Sequence, residues 1–68
     1  MKLTETEEIL INGLLAFGVE KDLVPGIVVM LETEIAQDQM IDYMCNHPQA
    51  KQEELLKKAV DISNQNKN

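Results

Sequence analysis

The apolar stripe of residues 22–46 changes side halfway along, and this limits what the chain can fold into. Between Asp22 and Glu32 the apolar residues Val24, Ile27, Val28 and Leu31 repeat at helical spacing. After Thr33 a second set, Ala36, Met40, Ile41 and Met44, repeats as regularly. At about 100° per residue the two sets centre roughly 180–200° apart. One straight helix carrying both needs apolar partners on opposite sides. In a chain of 68 residues, a break near Thr33 and two packed helices is the simpler arrangement.

The flanking segments complete a bundle. Thr4 with Glu7 three residues on reads as a capping box, and Glu5, Glu7 and Glu8 suit the positive end of a helix dipole. Leu10, Leu14 and Phe17 form one apolar row, which Ile11 and Leu15 widen. Gly18 stands where a left-handed C-terminal residue belongs, with Val19 placed to fold back on Leu14. Gly13 lies inside this helix at a cost of about 1 kcal/mol relative to Ala, so it is read as room for a neighbouring helix. Asp22 is the expected cap of the second helix, with Pro25 in its first turn. The run Ile27–Val28–Val29 also fits a buried strand, but no second segment is available to pair with it. Thr33 caps the third helix, and Asn46–His47–Pro48 ends it. In the fourth, Gln52, Leu55, Leu56, Ala59 and Ile62 share a face. Asn46 with Gln49 is one candidate cap for it, because Lys51 is a poor capping residue.

The expected fold is therefore all-α, a compact bundle of four short helices over about residues 4–17, 22–32, 34–46 and 49–63. Residues 1–63 form a single helical domain and 64–68 a frayed polar tail. The alternative has three helices with a long central one, its two-sided apolar surface buried by oligomerisation.

Charge narrows the function. Twelve acids face six lysines, with no arginine, for a net −6. Nucleic-acid binders need clustered cations, so no nucleic acid is expected as a partner, and anionic membranes are disfavoured in the same way. No apolar run is long enough to span a bilayer and the start MKLTETEE lacks a leader pattern, so a cytoplasmic location is expected. The Met1 start and the polar end read as a whole small gene product. With one serine, one histidine and no phosphate-binding glycine loop, neither enzyme activity nor a cofactor is expected. Cys45 and His47 do not share a helical face, and zinc has no further Cys or His to draw on, so no metal site is expected.

Two features remain as candidate partner-binding residues. Glu34, Asp38 and Asp42 form an acidic row at i, i+4, i+8, within a stretch of residues 22–50 that holds five acids and no basic residue. The plain reading is a solvated face partly neutralised by Lys51, Lys57 and Lys58; the functional one is a dock for a basic protein partner. Met40 and Met44, one turn apart, either fill a core poor in aromatics or line an adaptable binding face. Tyr43 is expected to lay its ring on a neighbouring helix with the hydroxyl in water. The leading expectation is a small acidic protein–protein interaction module, with a homodimer as one form. A nucleic-acid-linked regulator (a helix-turn-helix or an acidic decoy) and a structural subunit of a larger assembly are the alternatives. No family is assigned: the Phe17–Gly18 turn loosely resembles the Met-Gly-Phe turn of ubiquitin-associated domains, but its residue order differs.

Overall fold

A computed structural model describes residues 3–66. It has four helices, α1 (Glu5–Ala16), α2 (Val24–Met30), α3 (Glu34–Asn46) and α4 (Gln52–Gln65). α1 packs on α2 and α3, and α4 packs on the same two, so the helices form a closed ring around one core. Leu10 and Leu14 of α1, Ile27 of α2, Leu31 just beyond it, Met40 of α3 and Leu55 and Ile62 of α4 are fully buried.

The break at Thr33 is real. Leu31 leaves helical geometry at φ −91, ψ 74, and Thr33 is extended at φ −104, ψ 154. The Thr33 Oγ1 accepts from Ala36 N–H at 3.1 Å and so starts α3. The change of direction lets Val24 and Ile27 on one segment and Ala36, Met40 and Met44 on the other face the same core. Residues 27–29 lie in α2, which excludes the strand reading.

The α1 punctuation is also as expected. Thr4 Oγ1 accepts from Glu7 N–H at 3.1 Å, and Glu7 Oε1 accepts from Thr4 N–H at 2.9 Å. At the other end Val19 N–H bonds Leu14 C=O and Gly18 N–H bonds Leu15 C=O, with Gly18 at φ +90. That is the two-bond Schellman closure, and only glycine adopts its backbone at no steric cost. A Cβ on Gly13 would stand 2.8 Å from Met44 Cε, so its missing side chain leaves room for that methyl of α3.

Three boundaries differ from expectation. Asp22 does not cap α2; Leu23 occupies that position with no side-chain bond. Pro25 is the second helical residue and lacks one of the N–H groups a cap takes, while Leu23 N–H is drawn back to Glu20 C=O at 2.9 Å. α4 begins at Gln52 rather than Gln49, because His47–Pro48–Gln49–Ala50 is a turn closed by Ala50 N–H to His47 C=O at 3.0 Å. Proline is favoured at the second position of such a turn, and Ala50 then anchors it in the core. Asn46 bonds back to Asp42 C=O instead of capping α4. At the far end, Asn64 and Gln65 are helical, and Asn66 Nδ2 closes on Ile62 C=O at 2.8 Å. The helix thus runs past the expected end at residue 63; Lys67 and Asn68 lie outside the described residues.

Candidate functional site

The two sequence candidates separate. Glu34, Asp38 and Asp42 are exposed along α3. Met40 is 0% exposed and Met44 4%, so both belong to the core and neither is available to a partner. This corrects the methionine face: the pair fills the space that few aromatics leave, with Met44 reaching over Gly13.

The acidic row has little direct neutralisation. Glu34 Oε1 accepts from Thr6 Oγ1 at 3.2 Å, and Asp42 meets the amide of Asn46. Among the described residues the one ion pair is Lys58 with Asp61, at 3.9 Å within α4. Lys58 Nζ also stands 5.1 Å from the centre of the Tyr43 ring, within reach of a cation–π attraction.

Tyr43 is more engaged than its sequence position suggests. Its ring stacks on His47 with centroids 4.1 Å apart, and its hydroxyl donates to the Glu54 carboxylate of α4. That hydrogen bond, desolvation and the Glu54 charge hold the phenol above its ordinary value of 10.0. The neutral form is favoured on folding, so this contribution is present below the ordinary value and is lost as pH rises through the raised one. Tyr43 is the single tyrosine, so ultraviolet absorbance of the tyrosinate reports it alone. Titration should give a midpoint above the ordinary value, and Glu54→Gln should move it back. An unchanged midpoint in that variant would remove the Tyr43–Glu54 bond as the cause. Cys45 and His47 are both exposed.

A different surface emerges between α1 and α2. Leu3, Ile11 and Leu15 form one wall with Glu7, and Val24, Pro25, Val28 and Val29 the other, with Lys21 beside them. Leu3, Leu15 and Val29 are 50%, 46% and 72% exposed. The α1 row 7, 11, 15 has i+4 spacing, with Leu3 just ahead of the helix, and runs beside the core row Leu10–Leu14 without sharing its burial. The local sequence explains the groove. α2 has only seven residues, nearly all apolar, and its single core-facing side cannot hide them all.

No protein-family model, curated protein or solved structure matches the chain. No helix among the described residues is long and apolar enough to cross a membrane.

Proposed function

We propose that this chain is a small cytoplasmic protein–protein interaction module that uses the α1–α2 groove as its contact surface. The carrying observation is the largely apolar lining of that groove, with Leu3, Leu15 and Val29 open to solvent. Exposed contiguous apolar patches mark interaction sites, whereas scattered single apolar residues do not. The acidic row Glu34, Asp38, Asp42 supports a second contact, with a basic protein, because no lysine pairs with it among the described residues.

Capture from lysate by the immobilised chain tests both contacts. Leu15→Glu with Val29→Glu should abolish capture through the groove, since each puts a carboxylate against the partner's apolar side chains. Asp38→Lys with Asp42→Lys should release only those proteins that salt also releases. Capture unchanged by the groove variant would sink the proposal.

A further inference from the structure

We infer that the occupant of the α1–α2 groove is a second copy of this chain, packed about a two-fold axis. The inference rests on the groove being the contact surface, and goes on to its partner. A two-fold interface must be self-complementary, with residue i meeting j and j meeting i. The groove meets that condition in its charges. Among the described residues its lining holds one acid and one base, Glu7 and Lys21. Glu7 lies in the first turn of α1 and Lys21 in the link that follows the last turn, so they mark opposite ends of the face. A two-fold axis lying across the groove, rather than along it, reverses those ends and sets each Glu7 against the other copy's Lys21.

The rest of the surface points the same way. Only one of the twelve acids lines the groove, so two chains of charge −6 meet here with little repulsion. A strongly basic partner would be drawn to α3 instead. A stable interface takes about 800 Å2 from each partner, about a sixth of the 4859 Å2 surface, so the contact has to extend beyond the groove along both helices. Val29, the most exposed large apolar side chain among the described residues, stands on the rim and inserts into the mate.

Sedimentation equilibrium tests the inference. The wild-type chain should pass from 7.7 kDa toward twice that mass as concentration rises. Val29→Glu should stay at the monomer mass with its helical circular dichroism intact, because position 29 faces solvent in the single chain. Ile35→Glu, on the exposed part of α3, should dimerise like wild type. Lys21→Glu and Glu7→Lys each create two like-charge pairs and should each be monomeric. An equimolar mixture of the two restores both opposite pairs and should recover the dimer mass. Wild type that stays at 7.7 kDa throughout, Val29→Glu that still dimerises, or a mixture that stays monomeric overturns the two-fold contact. A monomeric wild type that loses its captured proteins in the Leu15→Glu, Val29→Glu variant leaves the module reading standing and overturns only the second copy.

Discussion

Met40→Ala should lower the stability of this chain by about 2–5 kcal/mol, the range for truncating a buried Met, Leu or Ile. Met40 is fully buried, in contact with a core that draws on all four helices. Removing three heavy atoms there leaves a cavity that surrounding helices close only in part. At about 0.05–0.15 kcal/mol per residue, a chain of 68 residues has roughly 3–10 kcal/mol in total, so the loss takes a large share of it. Urea unfolding followed by circular dichroism should show a much lower midpoint. The same variant separates the two readings of the methionine pair. A core Met40 changes folding, and partner capture falls only in step with the folded fraction. Wild-type stability with lost capture would return Met40 to a binding surface.

Much of the fold was legible because its signals are local. Thr4, Thr33 and Gly18 act through hydrogen bonds or backbone geometry within a few residues, and each appears where the sequence put it. Asp22 and Gln49 misled for a related reason. Their positions are decided by a neighbouring proline, Pro25 or Pro48, that commits the local N–H groups and turn differently. The exposed apolar groove was less legible. Ile11 and Leu15 extend the same apolar stripe as Leu10 and Leu14, and periodicity alone cannot say how wide a band the neighbours cover. Here α2 lies beside Leu15 but leaves it 46% exposed. The readable sign was the unbroken run Ile27–Val28–Val29, which holds more apolar residues in sequence than one helical face can bury. Met40 and Met44 stood open between two readings: adaptable side chains suit both a groove and a core, and only packing decides for the core.

The other large effect is expected at Gln37, which a search for apolar positions passes over. It is spaced i−3 from Met40 and i−4 from Ile41, on the stripe, and is buried. Its Nε2 donates to Leu31 C=O at 2.8 Å, one of the carbonyls left without a helical partner where α2 ends. Together with the Thr33 cap, this bond fixes the chain reversal that brings the two apolar sets onto one core. Gln37→Leu keeps the bulk and removes the donor, leaving that carbonyl unpaired at a cost of about 1–3 kcal/mol. Gln37→Glu should cost more at neutral pH, since it buries a carboxylate facing a carbonyl oxygen. Burial and that oxygen both favour the protonated acid, which can itself donate to Leu31, so the folded-state value is raised. Stability of this variant is then greatest in acid, below the ordinary carboxyl range, and falls as pH rises through the raised value. Denaturant midpoints of wild type, Gln37→Leu and Gln37→Glu at acidic and neutral pH test the whole chain of cause. A Gln37→Leu midpoint equal to wild type would show that the Leu31 carbonyl finds another donor and that the Thr33 break is held by its cap and packing alone.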